Sequence, residues 1–312
     1  MTMFGYFSTV SYDMSLKSNP IIRIFSGDKT VRGTALNLFG AQVLRMLTAR
    51  SLYAARSAPV DNDIQDYVNE VKREGMIAIP DFLKPEQFNA VREEYLNIFR
   101  NTSRSQILTR GSNTVELIFL KDLNQADAKD AGKYFFYNPK LRAIFHALEK
   151  QPLDSLRATM SFELLTQHDG DTADPETKFH NDIFYNTHKA WLYLDDVAEE
   201  NGPLVYVKRS HHLSPCQLLY VYKESLGKNE GSRRITPQEI VRRELTETRC
   251  VCARNTLVIA NTFGYHRRMR GKPGNQRHAL NISARITSPF QLLLPSGMIH
   301  NTHRAADSSV MM

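Results

Sequence analysis

Between Leu156 and Ile286 the chain is written in short apolar runs cut by turn-forming clusters, a pattern that few architectures satisfy. Ala190 to Val197, Val205 to Val207, Thr256 to Ala260 and Arg277 to Ile286 each read as a strand, the last alternating between two faces. Clusters such as Asp169-Gly170-Asp171 and Glu199-Glu200-Asn201-Gly202-Pro203 supply the turns. Runs this short cannot make long helices, and about eight of them can be counted. The reading is a mainly β fold, an antiparallel sandwich or jelly roll, with helices at its flanks. The main interruption runs from 213 to 248, where Thr236-Pro237-Gln238-Glu239 forms a capping box for a helix through about Leu245. That insertion reads either as a lid beside the mouth of the sandwich or as a solvated decoration.

Upstream the period changes to that of helices. Ile64, Tyr67, Val68 and Val71 give one face of a helix over 64–74 that stops at Gly75, and Met76 to Ile79 reads as a short strand. A helix begins at Pro85 with Phe88, Val91, Tyr95 and Phe99 turned inward, and another at Asn138-Pro139 with Leu141, Ile144, Phe145 and Leu148 inward. From Gly33 to Ala55, Leu36, Phe39, Val43 and Leu47 recur at helical spacing among Arg32, Arg45, Arg50 and Arg56. Such a segment either lies on an anionic membrane surface or packs against the rest of the protein. The expected organisation is a basic amphipathic extension over 1–60, one large β domain over 61–290 and a tail over 291–312.

Forty Lys and Arg against 33 Asp and Glu give a net charge of +7, which favours acidic surfaces or substrates. No nucleic-acid motif accompanies that charge, so nucleic acid is not an expected partner. Three cysteines, Cys216, Cys250 and Cys252, cannot all pair, and their scarcity fits a reducing compartment. Cys250-x-Cys252 lacks a second pair that would complete a zinc site and reads as core. Residues Met1 to Ser15 do not read as a secretory leader, and Arg45 and Arg50 interrupt the most apolar stretch. The expected location is cytoplasmic, with contact at a membrane surface as the alternative.

Chemistry concentrates in four residues. On a strand, residues two apart share a face, so His180 and Asp182 of His180-Asn181-Asp182 can aim two donors at one ion while Asn181 faces away. His266, just after the strand ending at Ala260, supplies a third donor, and Arg277 follows 11 residues later. Two imidazoles and one carboxylate on one face of an octahedron leave open positions, the arrangement of non-heme Fe(II) oxygenases. Arg277, with a planar fork of donors, suits a carboxylate.

These residues, with the segment Trp191 to Leu204, resemble the phytanoyl-CoA dioxygenase family of Fe(II)- and 2-oxoglutarate-dependent oxygenases, from about Gly75 to about Thr287. The resemblance implies a double-stranded β-helix core and a metal held by His180, Asp182 and His266. It implies that Arg277 grips the distal carboxylate of 2-oxoglutarate and that Trp191 walls its pocket. Arg285 shares the strand face of Arg277 and is the alternative partner for that carboxylate. The implied cofactors are Fe(II), 2-oxoglutarate and O2, and the implied reaction is hydroxylation with release of succinate and CO2. Related halogenases replace the carboxylate ligand with a small residue, so Asp182 favours hydroxylation over chlorination.

Two positions depart from the family. Lys208-Arg209-Ser210-His211 stands where relatives read Pro-Gly-Ser-His, and Arg268 stands where some carry a small hydroxyl residue. The family's acyl-CoA substrate is therefore not carried over. Lys208, Arg209, His211, His212, Arg267, Arg268 and Arg270 read either as solvated surface or as a basic rim for a phosphorylated, carboxylated or lipid-linked metabolite. Arg268 and Lys208 are the substrate-binding candidates within that set. Two rival readings stay open: a jelly-roll binding protein without turnover, and a cupin-type metalloenzyme that needs no 2-oxoglutarate.

Overall fold

A computed structural model describes residues 31, 34–110, 115–123, 128–151, 158–168, 174–227, 234–284 and 289–290. The expected turn at Asp169-Gly170-Asp171, the alternative arginine Arg285, the tail over 291–312 and most of the first 33 residues lie outside them.

Seven strands pair antiparallel in one sheet: β1 (Met76–Ile79), β8 (Leu257–Asn261), β5 (His188–Tyr193), β10 (Gln276–Ser283), β4 (Thr159–Thr166), β3 (Val115–Phe119) and β2 (Leu108–Arg110), in that spatial order. A second sheet holds β7 (Glu247–Arg249), β6 (Leu204–Val207) and β9 (His266–Arg268). Period-two alternation sorts the side chains of β5 to opposite faces. Ala190 and Leu192 join the main core with Val68, Val91, Tyr95, Leu141 and Phe145 of the helices, where each fully buried Leu or Phe contributes roughly 1.5–3 kcal/mol. Trp191 and Tyr193 turn the other way, into a cluster shared with Leu204 and Tyr206 of the second sheet and with Cys250 just past β7, with Cys252 packed against it. The two sheets thus face each other across an inner layer, and the fold is mainly β with flanking helices, a double-stranded β-helix or jelly roll.

The helices sit largely where their punctuation places them. Residues Thr34–Leu38 form α1 and Ala41–Ala54 form α2. Gln65–Glu74 forms α3, with Gly75 closing it at φ 92° through an N–H bond to the Val71 carbonyl. Pro85–Asn101 forms α4. Pro139–Glu149 forms α5, capped by the Asn138 side chain accepting from the Leu141 N–H at 3.1 Å. The insertion carries α6 (Pro215–Ser225) and α7 (Pro237–Arg242). Thr236 caps α7 as its sequence demands, but the helix stops short of Leu245 because Glu244 adopts φ 53°, outside helical space.

The amphipathic reading of 33–55 requires correction. The inward face of α2 is Ala41, Gln42, Arg45, Met46 and Ala49, whereas Phe39, Leu44 and Leu47 are exposed. Arg45, expected among the outward charges, is buried with its guanidinium 3.6 Å above the Phe184 ring. A cation on an aromatic face tolerates burial that a bare charge would not, so that side of the helix docks on the domain. Met46 and Ala49 belong to the main core cluster, so this part of the expected extension is packed on the β domain. No helix among the described residues is long and apolar enough to cross a membrane.

Candidate metal centre

His180 is not part of a full strand. It forms an isolated antiparallel bridge with His266, each backbone N–H donating to the other's carbonyl at 2.9 Å. Two residues on, the Asp182 N–H donates to the Thr262 carbonyl at 2.9 Å, and regular pairing ends. The loop from β8 to β9 therefore anchors both ends of His180-Asn181-Asp182. That pairing brings His180 and His266, 86 positions apart, onto one site, with their imidazole rings 4.7 Å apart between centroids.

One ligand atom from each of His180, Asp182 and His266 lies within 4.8 Å of the other two, and all three residues are buried. Asp182 Oδ1 is 3.8 Å from His180 Nε2 and 3.6 Å from His266 Nε2. Two ligand bonds of about 2.1 Å each span at most about 4.2 Å, so one ion can bridge either pair. The tautomers agree: Nδ1–H of His180 donates to the Lys178 carbonyl at 2.8 Å, and Nδ1–H of His266 to the Gly264 carbonyl at 2.9 Å. With Nδ1 as donor, each neutral ring presents the Nε2 lone pair to the site.

Electrostatics also call for a cation. Burial would raise the Asp182 carboxyl, but the Lys189 ammonium and both imidazoles hold it well below the usual carboxylate range. Burial would lower His180, but Glu176 and Asp182 outweigh it and push the imidazole up. Geometry, tautomers and the nitrogen-and-carboxylate donor set fit a divalent transition metal.

Arg277 is buried on the inner layer. Its Nη2 pairs with Glu163 at 3.1 Å, its Nη1 donates to the Gly202 carbonyl, and its guanidinium lies 5.5 Å from the Tyr193 ring centroid. Its Nε has no hydrogen-bond partner among the described residues. Lys189, Trp191 and Tyr193 share one face of β5, so that face runs from the metal cluster through Trp191 to the arginine.

The expected basic rim is not one surface. Arg209, His211 and His212 bind Glu74, the Lys72 carbonyl and the Arg73 carbonyl at the end of α3. Arg267 lies over Phe179 at 4.7 Å. Arg268 is buried two residues beyond His266 on the same strand face, in an ion pair with buried Asp174. Lys208 is half-buried, its backbone bonded to Thr246. Arg209 adopts φ 62° where relatives carry Gly, so that departure keeps the left-handed turn and anchors the long side chain on Glu74. Ser210 buttresses the site itself: its Oγ donates to the Val207 carbonyl and accepts from the Tyr265 N–H.

Four charged residues escaped the sequence reading. Glu176 Oε2 lies 3.1 Å from His180 Nε2, Lys189 Nζ lies 2.6 Å from Asp182 Oδ2, and Glu163 and Asp174 pair with Arg277 and Arg268. Alternation offered a signal for two of them: Lys189 is two residues before Trp191, and Glu163 interrupts the apolar strand Met160 to Leu165.

Gly264 shows how tightly the distal histidine is held. Its carbonyl fixes the His266 ring, and a Cβ on it would overlap the hydroxyl of buried Tyr206, which is bonded to the Asn261 carbonyl at 2.9 Å. Gly264→Ala is expected to destabilise the fold by about 1–3 kcal/mol and to weaken metal binding together with it. Thermal denaturation with and without Ni(II) measures both, and an unchanged melting temperature would refute the close contact.

A family model described as Phytanoyl-CoA dioxygenase (PhyH) matches residues 71–246, which include His180 and Asp182. His266 and Arg277 lie beyond that match, and backbone pairing with His180 brings the first of them to the cluster. Among solved structures, the epimerase SnoN in complex with Fe3+, alpha ketoglutarate and nogalamycin RO aligns with a TM-score of 0.52 at 15% identity, covering 72% of this chain and 85% of that one. A second SnoN structure, described as a non-heme alpha ketoglutarate dependent epimerase from nogalamycin biosynthesis, also gives 0.52 at 15% identity, over 72% and 84%. At this identity the likeness bears on the fold, and it agrees with the jelly roll. No curated protein matches the chain. The family match spans more than half of the sequence: this chain belongs to the phytanoyl-CoA dioxygenase (PhyH) family.

Proposed function

We propose that the chain is an Fe(II)- and 2-oxoglutarate-dependent dioxygenase that hydroxylates a small-molecule metabolite. The observation that carries the reading is the convergence of His180, Asp182 and His266 on one point, with both histidine Nε2 atoms within 3.8 Å of Asp182 Oδ1 and both Nδ1 atoms tied to backbone carbonyls. When bound, Fe(II) and 2-oxoglutarate supply the oxidising chemistry, O2 being consumed as succinate and CO2 form and one oxygen atom passing to the substrate.

The chain's own residues position the reactants. His180, Asp182 and His266 hold the metal and leave its other positions open. Arg277 clamps the distal carboxylate of 2-oxoglutarate: two of its five N–H donors are committed to Glu163 and Gly202, which leaves three, Nε–H among them. Trp191 walls the space between, since Lys189 to Tyr193 spans four residues, or about 13 Å of strand. Buried aromatic and aliphatic neighbours exclude water, which strengthens the charge pairing within.

Arg268 remains the proposed substrate contact for an anionic group, sharing the strand face of His266, with Lys208 a second and more distant candidate. The lipid-linked and membrane-surface readings rest on exposed Leu38, Phe39, Leu44 and Leu47. SnoN, described as an epimerase, marks the competing outcome on this fold, a product without added oxygen. Incubation with Fe(II), 2-oxoglutarate and air should yield succinate, and a metabolite-extract screen should then show one product heavier by one oxygen atom. Stoichiometric metal binding without any succinate would favour the binding-protein reading, and succinate with a product of unchanged mass would favour epimerisation.

A further inference from the structure

We propose that Lys189 is a positioning residue of the metal centre: it holds one carboxylate oxygen of Asp182 so that the other alone is offered to the ion. This rests on the function proposed above and goes further, because it concerns how many metal positions the protein itself occupies.

The two oxygens of Asp182 are already divided. Oδ1 faces both histidine Nε2 atoms, at 3.8 and 3.6 Å, whereas Oδ2 lies 2.6 Å from Lys189 Nζ. The lysine reaches this point from a fixed backbone, since β5 is bonded on both sides and Lys189 stands opposite Ala260 on β8 and Ser283 on β10. Its side chain is 25% exposed and that of Asp182 11%, so the pair is shielded from the solvent that weakens surface ion pairs. Its place beside Trp191 on the inner face of β5 excludes a purely external salt bridge.

The consequence follows from carboxylate chemistry. A carboxylate binds a metal through one oxygen or through both. If Oδ2 were free, Asp182 could take a second position on the ion, one that a chelating 2-oxoglutarate needs. Lys189 closes off that mode by holding Oδ2 in a close, solvent-shielded ion pair. The same ammonium places a positive charge near the ion, so its removal has two opposed effects on metal affinity: lost orientation and relieved repulsion.

The test uses full-length protein, titrated without oxygen first with Fe(II) and then with 2-oxoglutarate, the chelate being read from its visible charge-transfer band. Lys189→Met is expected to bind Fe(II) within about tenfold of wild type but to bind 2-oxoglutarate about 10- to 100-fold more weakly, the range typical of losing an outer partner of a metal ligand. The band should also shift, a change that general loosening of the fold would not produce, and Lys189→Arg should restore most of the affinity. Circular dichroism identifies a variant that fails to fold, in which case Lys189→Gln replaces it. Unchanged 2-oxoglutarate affinity and band position in the neutral variant overturn the proposal. Failure of wild type to bind Fe(II) at all overturns the underlying metal reading, and the two results cannot be confused.

Discussion

Asp182→Ala should abolish succinate formation and weaken Fe(II) binding by more than about a hundredfold. The size follows from what remains. Loss of an outer hydrogen-bond partner of a metal ligand typically costs about 10- to 100-fold in affinity, and Asp182 is itself the only carboxylate among the three proposed ligands. Its removal leaves two imidazoles beside the Lys189 ammonium, so the site loses its one buried carboxylate ligand and keeps a cation, with only the more exposed Glu176 as an anion beside His180. Thermal denaturation gives the sharpest measurement, since a ligand that binds only the folded state stabilises it by RT ln(1 + [L]/Kd). Wild type should gain stability steadily with added metal, and the variant should show no gain over the same concentrations. Metal-dependent stabilisation that survives the substitution would show that the ion sits elsewhere.

The expected loss draws on one sequence triplet, and the triplet illustrates what the sequence could convey. Residue types and order were legible because ligand chemistry restricts them: few side chains offer a nitrogen or carboxylate donor to a divalent metal. The strand reading at His180 was right in outcome and too regular in form. Side chains two apart do converge, but through one bridge to His266 and one bond from Asp182 to Thr262. The jelly roll was legible for a similar reason, since alternation in β5 and β10 fixes which residues enter each layer. Charged partners were not legible. Glu163 to Arg277, Asp174 to Arg268 and Arg209 to Glu74 are each separated by 94 or more positions, and the choice among 73 charged residues is made by packing. The helix Ala41–Ala54 failed for a related reason: arginine reads as solvent-facing unless a ring such as Phe184 is known to lie beneath it.

The second large effect is expected at Arg277, where an observed ion pair and the proposed cosubstrate contact overlap and can be separated. Arg277→Met should destabilise the protein by about 3–5 kcal/mol, because the Glu163 carboxylate, only 12% exposed, loses its buried cation. It should also weaken 2-oxoglutarate binding by roughly a hundredfold or more, consistent with the 2–5 kcal/mol typical of truncating one side of a buried charge pair. The double variant Arg277→Met with Glu163→Gln divides these effects. Replacing the stranded carboxylate with a neutral amide of similar volume should recover most of the stability and none of the cosubstrate affinity. Glu163→Gln alone leaves the guanidinium in place and frees one of its donors, so 2-oxoglutarate should bind at least as well as in wild type. A purely structural arginine predicts the opposite, cosubstrate binding that returns as soon as the fold is restored. An enzyme that needs no 2-oxoglutarate predicts a third pattern, turnover by the double variant at the wild-type rate. Urea denaturation and 2-oxoglutarate titration of the metal-loaded protein, run on all four proteins, decide among these outcomes.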